Sequence, residues 1–240
     1  MVISITFGRN FFFIFSEVAW RATKSGKSSD IIKSFQRKGD LIMRELAYID
    51  ETAKGNTVIP LHSRLLTERQ IFLTGEITAE TAVDFLQAML FLMNDNKPID
   101  IYINSCGGEI NAGLAIYDMI QSCKNKLNMY CVGQASSMAA VLLASGQKGR
   151  RFILPHSRVM IHEALLRGGV SGSATSISRI SESILETRDM VNGILAEHTG
   201  KTLEEINSAT GFDNMMNAEE AVSFGICDKI VGSISERSNA

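Results

Sequence analysis

The feature that most constrains this chain is a regular alternation between residues 70 and 154. Short apolar runs trade places with amphipathic stretches, and small or turn-forming residues sit at each exchange. Ile71-Phe72-Leu73 ends at Gly75. Thr78 then offers a helix cap, and Ala82, Phe85, Leu86, Met89 and Met93 recur at helical spacing until Pro98 stops the continuation. The motif repeats with a strand-like run over 99–104, a tight turn at Cys106-Gly107-Gly108, and a helix predicted over 111–123. That helix turns Leu114, Ala115, Ile116, Met119 and Ile120 to one side. A third run, 127–132, passes through a turn of small residues into a short helix over 138–144, and a fourth run covers 151–154. Strands alternating with helices in this way call for βαβ units and a largely parallel sheet, hence an α/β fold. The strands are almost wholly apolar, the pattern of a sheet covered by helices on both faces.

After Pro155 the style changes. An extended run over 158–163 leads into Gly168-Gly169-Val170-Ser171-Gly172. One long helix is predicted over 174–198, with Ile177, Ile180, Ile184, Val191, Ile194 and Leu195 on one stripe. It is too long to be covered by a small domain and is expected to project and meet another subunit. Gly200 ends it, a short helix starts at Leu203, and Gly211-Phe212-Asp213 forms a loop. Asn217 caps a last helix over 218–224, closed by Gly225.

Upstream of the alternation the chain reads differently. Residues 1–42 hold a short aromatic run and then basic, serine-rich sequence; they read as a disordered or partly helical extension, with a targeting leader as the alternative. Residues 43–66 read as a flexible arm, 67–232 as the folded domain and 233–240 as a tail. The net charge of −2 gives no broad pull toward nucleic acid or anionic membranes. The four cysteines show neither CxxC nor metal-ligand spacing, so no metal is expected and they read as reduced thiols of a cytosol-like, cytoplasmic compartment. No apolar run reaches the roughly 18–20 residues of a membrane span.

Chemistry concentrates at GQASSMAA, residues 133–140. A serine between a strand and a helix is held out of the sheet, and the new helix aims free N–H groups at whatever it attacks. The small neighbours leave room for a substrate carbonyl. Spacing alone leaves Ser136 and Ser137 both open. Four histidines limit the choice of base. His62 lies in the arm, His156 in a turn, and His198 at a helix end that favours a cation. His162 closes an extended run, and period two sets it on the face of Met160, where a sheet edge can look into a cleft. Asp189, Asp213 and Asp228 lie downstream, and the loop position of Asp213 suits an inward turn best.

Four segments together, YINSCGGEINAG (102–113), GQASSMAA, RFILPHSRVMIH (151–162) and AEHTGKTLEEI (196–206), resemble the proteolytic subunits of the Clp protease, the ClpP family, in order and spacing. The resemblance runs from about Tyr48 to Val231. It implies a crotonase-like spiral of βαβ units, with a projecting handle over about 163–198. It implies a serine endopeptidase in which Ser137, not Ser136, is the nucleophile, His162 the base and Asp213 the acid. The backbone N–H groups of Gly108 and Met138 would form the oxyanion hole. Gly107, Ile110 and Leu165 would flank an extended substrate. In the family two heptameric rings stack, and a hexameric Clp-type AAA+ ATPase unfolds proteins and feeds them in. The resemblance therefore implies no cofactor on this chain, with ATP used by the partner, and makes the arm near 48–61 an axial loop.

The chain departs from the family pattern at four places. Cys106 stands where a proline is usual, Glu163-Ala164 replace Gln-Pro after the histidine, and Leu166-Arg167 lengthen the stretch before Gly168. Gly211-Phe212 stand where an acidic residue and an arginine help join the rings. These point to a divergent paralogue with a weaker ring–ring contact, or to a mixed assembly with a second ClpP-type subunit. Two rival functions remain: a non-catalytic subunit of such an assembly, and a crotonase-type acyl-CoA enzyme sharing the fold.

Overall fold

A computed structural model describes residues 46–52, 55–165 and 171–234, and gives no side-chain description for 47–58. The extension 1–42, the segment 166–170 and most of the tail lie outside the described residues. The chain divides into two compact units, 1–68 and 69–240.

In the first unit, β1 (Ala47–Thr52) and β2 (Gly55–Pro60) pair antiparallel, and α1 (Leu61–Thr67) begins directly after Pro60. Where the sequence places an arm leading into the domain, the structure has a hairpin and a short helix. Tyr48 lies in register with Ile59 and Ile49 with Val58, pairs of residues with high strand propensity. The Leu61 N–H donates to the Leu46 carbonyl at 2.8 Å and ties the helix back to the start of the hairpin.

The second unit is a seven-stranded sheet with its helices. In chain order it comprises β3 (Gln70–Ile77), α2 (Ala79–Leu92), β4 (Ile99–Gly108), α3 (Ile110–Ser122), β5 (Leu127–Ser136), α4 (Met138–Ala144) and β6 (Arg151–Ile153). Then follow β7 (Arg158–Ile161), α5 (Ala174–Thr199), α6 (Leu203–Thr210), β8 (Asn214–Met216), α7 (Ala218–Phe224) and β9 (Lys229–Ile230). The strand order is β3-β4-β5-β6-β9, all parallel, with β7 paired to the far end of β5 and β8 antiparallel to β7. The predicted βαβ architecture holds, and so do the caps. Thr78 and Asn217 each close a capping box, as does Thr202, which sequence reading did not single out, while Gly200 (φ 78°) and Gly225 (φ 96°) end α5 and α7 in the left-handed region.

Two local expectations are corrected. Cys106-Gly107-Gly108 is not a separate turn but the end of β4, which runs past a register shift against β3 at Gly75/Glu76. Likewise β5 runs four residues beyond its apolar run, to Ser136, because Gln134, Ala135 and Ser136 pair with Arg158, Val159 and Met160. Nothing local encodes that extension; the partner strand does.

The sheet also has an unexpected face. Register places Phe72, Tyr102, Tyr130 and Phe152 side by side on β3 to β6, with ring centroids 5.0, 5.2 and 5.0 Å apart. The first two rings of the ladder, Phe72 and Tyr102, line a groove of about 720 Å³, and Phe72 is half exposed. Helix cover on both faces is therefore incomplete. On the other face α4 is buried along its whole length and packs on β4 and β5.

Helix α5 projects as expected. No residue from 174 to 190 is buried, and the helix enters the core only at Val191, Asn192 and Leu195. Ile177, predicted in the apolar stripe, is exposed.

At its last turn the ring of His198 meets Tyr117, Nε2 to hydroxyl at 3.1 Å. The helix terminus favours a cation here, but burial depresses the pKa below the ordinary 6.5; Glu197 opposes this, and Arg151 and Lys148 reinforce it. A base with a lowered folded pKa leaves the unfolded chain binding more protons. Its contribution is thus complete above about pH 6.5 and is lost as the pH falls below that. Urea midpoints should decline from pH 7 to pH 5.5, and His198→Gln should flatten that decline; an unchanged slope would remove His198 as its source.

Candidate active site

The carboxyl ends of parallel strands are where α/β sheets place ligands. Here the pairing of β4 with β5 shifts register between Ile103 and Ser105 and resumes at Ser105 and Ala135. Ser137 sits in the one-residue step from β5 into α4, at φ 56° and ψ −126°. Such a conformation is costly for a residue with a side chain, by about 1–3 kcal/mol. Three contacts hold it: the Ser137 N–H donates to the Met160 carbonyl at 2.8 Å, and the Ser137 carbonyl accepts from Ala140 and Val141 at 2.9 and 3.3 Å. The result is a sharp elbow that lifts the hydroxyl off the sheet. It also separates the two serines, because Ser136 is buried while Ser137 lines a cavity of about 160 Å³.

Gly108, Ile110, Met138, His162 and Leu165 line the same cavity, so most of the sequence-predicted site comes together. Leu165 is exposed and Ile110 half-buried at its mouth. A second cavity of about 480 Å³ shares Gly108, Ile110, Ala164 and Leu165 and extends to Ser183 and Thr187 of α5, giving an elongated cleft. Cys106, which the sequence marks only as a missing proline, also opens into the first cavity.

The two glycines have separate tasks. A Cβ on Gly107 (φ 85°) would stand 2.6 Å from the Ser136 carbonyl oxygen and 2.7 Å from the Ser137 Cβ. A Cβ on Gly108 would overlap the Ile77 carbonyl. Gly107 thus lets β4 lie against the elbow, and Gly108 lets β4 lie against β3. Met138 opens α4, whose first-turn N–H groups lack acceptors within the helix. Gly107→Ala is expected to lower kcat by roughly 10²–10³, the scale of losing one oxyanion donor, by pushing the elbow away. Peptide hydrolysis with KM determined alongside checks this, and a variant with parental kcat would show that the elbow does not need the close approach.

His162 follows β7 directly. Its Nδ1 and the carbonyl of Glu163 form a hydrogen bond of 2.6 Å. Among the described residues no hydrogen bond joins its ring to Ser137 or Asp213. Asp213 is exposed and does not line the cavity. It nevertheless stands next to β8, which pairs with β7 as Ile161 opposite Asn214 and Met160 opposite Met215. The ladder ends at Ile161 and Asn214; His162 follows the one and Asp213 precedes the other, so both residues flank the same end of the pairing. The loop in which the sequence places Asp213 is therefore the lead-in to a strand. Sequence reading missed that strand because three residues carry no periodicity.

Among the described residues no group of three or more His, Cys, Asp or Glu side chains is arranged to hold a metal, and no helix is long and apolar enough to cross a membrane. The four thiols are free; burial pushes Cys131 up to about 12 and raises Cys123 and Cys227 as well, so these three stay protonated. Compared with known proteins, the chain matches the family model described as Clp protease over residues 53–233.

Proposed function

The chain belongs to the Clp protease family, which implies peptidase activity, and we propose from there that it is a serine endopeptidase cutting unfolded polypeptides supplied by a Clp-type AAA+ ATPase. The observation that carries this reading is the strained elbow at Ser137, opening into the cavity that His162 lines. The Ser137 hydroxyl oxygen attacks the scissile carbonyl carbon while His162 Nε2 takes the proton. The carbonyl π electrons move onto oxygen, where the N–H groups of Gly108 and Met138 receive the charge. His162 then gives its proton to the amide nitrogen, the C–N bond breaks, and the amine leaves. Water repeats the sequence on the acyl-serine. Asp213 accepts a hydrogen bond from His162 Nδ1–H, fixes the tautomer and stabilises the imidazolium without taking the proton. The cleft past Gly108, Ile110 and Leu165 holds substrate in extended form by main-chain hydrogen bonds, which tolerate many sequences. Gly107 shapes that cleft from behind. The chain itself needs no cofactor in this scheme; ATP is spent by the ATPase, and the rings are heptameric and stacked in pairs.

A second reading has its own support. His162 Nδ1, which should donate its hydrogen bond to Asp213, instead lies against the Glu163 carbonyl, and Phe212, at a position where the resemblance leads one to expect an arginine, is exposed. Both fit a subunit that is weakly active alone and is completed by a second ClpP-type subunit. Labelling with a fluorophosphonate, parent beside Ser137→Ala, with and without such a subunit, separates the readings. Labelling of the parent alone supports the endopeptidase. Labelling only in the mixture supports the hetero-oligomer. No labelling in either leaves a structural subunit.

A further inference from the structure

We propose that Asn192 is a positioning residue that fastens helix α5 to both the histidine and the aspartate segments of the site. This rests on the Ser137–His162–Asp213 reading above. Asn192 and Thr210 are each 1% exposed, the most buried polar side chains of α5 and α6. Asn192 Nδ2 donates to Thr210 Oγ1 at 3.1 Å and to Asn207 Oδ1 at 2.7 Å. Thr210 Oγ1 passes its own proton to the Ile206 carbonyl at 2.9 Å. The Thr210 carbonyl then accepts the Glu163 N–H at 2.7 Å, and it is the Glu163 carbonyl that meets His162 Nδ1. Thr210 is also three residues from Asp213, so the same anchor fixes the root of the acid's loop.

A leucine would fill this site at least as well, since a buried amide costs desolvation that its hydrogen bonds at best offset. The polar choice gains its reason from geometry. Val191 and Leu195, the neighbours of Asn192 on α5, line the wall of the catalytic cavity. Asn192 thus holds one wall in register with Glu163 on the opposite side. Without it, residues 163 and 210–213 are free to shift by fractions of an ångström, and a shift of about 1 Å at reacting groups costs on the order of 10²-fold in rate.

The test uses the full chain in Asn192→Leu, Thr210→Val, the double variant and Thr210→Ser. Leucine and valine keep the volume and remove the hydrogen bond, and serine restores the hydroxyl. Phosphonate labelling rates, kcat and KM on a peptide, the pH profile of kcat/KM, circular dichroism and sedimentation are recorded for each. The expected result is a roughly ten- to hundredfold loss of kcat and labelling rate in Asn192→Leu and Thr210→Val at little-changed KM, on the scale of misplaced catalytic groups. The double variant is no worse than either single one, and Thr210→Ser stays near the parent. Folded, assembled variants within twofold of parental kcat would overturn the proposal, as would strictly additive losses. Should Asn192→Leu fail to fold, Thr210→Val decides on the same criteria. A parent that does not label overturns the underlying reading and the proposal with it, an outcome distinct from a labelled parent with indifferent variants.

Discussion

Ser137→Gly is expected to give a protein that is more stable than the parent and inactive. The parent holds a serine at φ 56° and ψ −126°, a conformation that costs a residue with a Cβ about 1–3 kcal/mol. Glycine removes that cost and, in exchange, enlarges the conformational entropy of the unfolded chain by about 0.4–1 kcal/mol. The balance is a gain of about 1 kcal/mol, the difference between those two ranges. Ser137→Ala keeps the Cβ and so keeps the strain; its stability should stay close to that of the parent. Both variants lose the hydroxyl, and loss of a nucleophile in a comparable site lowers kcat by about 10⁶. Urea denaturation of the three proteins side by side, with peptide hydrolysis on the same preparations, reads both effects. Glycine no more stable than alanine would mean that the elbow stores no strain. A Ser137→Ala variant retaining a percent of parental turnover would move the nucleophile elsewhere. Both expected results together would describe a site whose exposed hydroxyl is maintained against local stability, the trade expected where function decides a residue.

Much of this arrangement was legible in the sequence because it is locally encoded. The apolar runs around Ile71, Ile101 and Met129, the caps at Thr78 and Asn217, and the glycines that end α5 and α7 each carry their instruction within a few residues. What was not legible depends on partners distant in sequence. The last four residues of β5 are strand only because β7 lies beside them, and β8 exists only because β7 offers an edge. The aromatic ladder is invisible as periodicity because each strand contributes a single ring. The same division runs through the site. Ser137 stands out by residue type at a strand-to-helix junction, and Gly107 and Gly108 as a glycine pair between two predicted elements. Asn192 and Thr210 look like ordinary helix residues until their hydrogen bonds across α5 and α6 are drawn. Asp213 is intermediate: the sequence places it in a loop between two helices, and only the β7–β8 pairing sets that loop at the end of the ladder from which His162 emerges.

The largest loss of stability is expected from Asp228→Ala, by about 3–5 kcal/mol, the cost of leaving one member of a buried ion pair uncompensated. Arg151 is almost fully buried at the start of β6, and Asp228 precedes β9. The carboxylate accepts from Arg151 Nη2 at 2.6 Å and from Nε and the backbone N–H at 3.0 Å each. Burial by itself would raise the Asp228 pKa, but these contacts outweigh it and hold the group below 3.8. A depressed carboxylate contributes fully above its unfolded pKa, so this stability is present at neutral pH and is lost as the pH falls below about 3.8. Replacing both partners by apolar residues often restores or even raises stability. Here it should not. Arg151 Nη1 also donates to the carbonyls of Ala144 and His198 at 3.0 Å each, the last residue of α4 and the last turn of α5. Arg151→Met combined with Asp228→Leu would orphan both, at about 1–3 kcal/mol for each buried group left unsatisfied. The double variant should therefore remain destabilised by a margin comparable to the single one in chemical denaturation. Full recovery would show that the guanidinium serves the carboxylate alone. Slowed phosphonate labelling is expected to accompany the retained loss, because the helix that Arg151 anchors at Ala144 is the one that Ser137 begins.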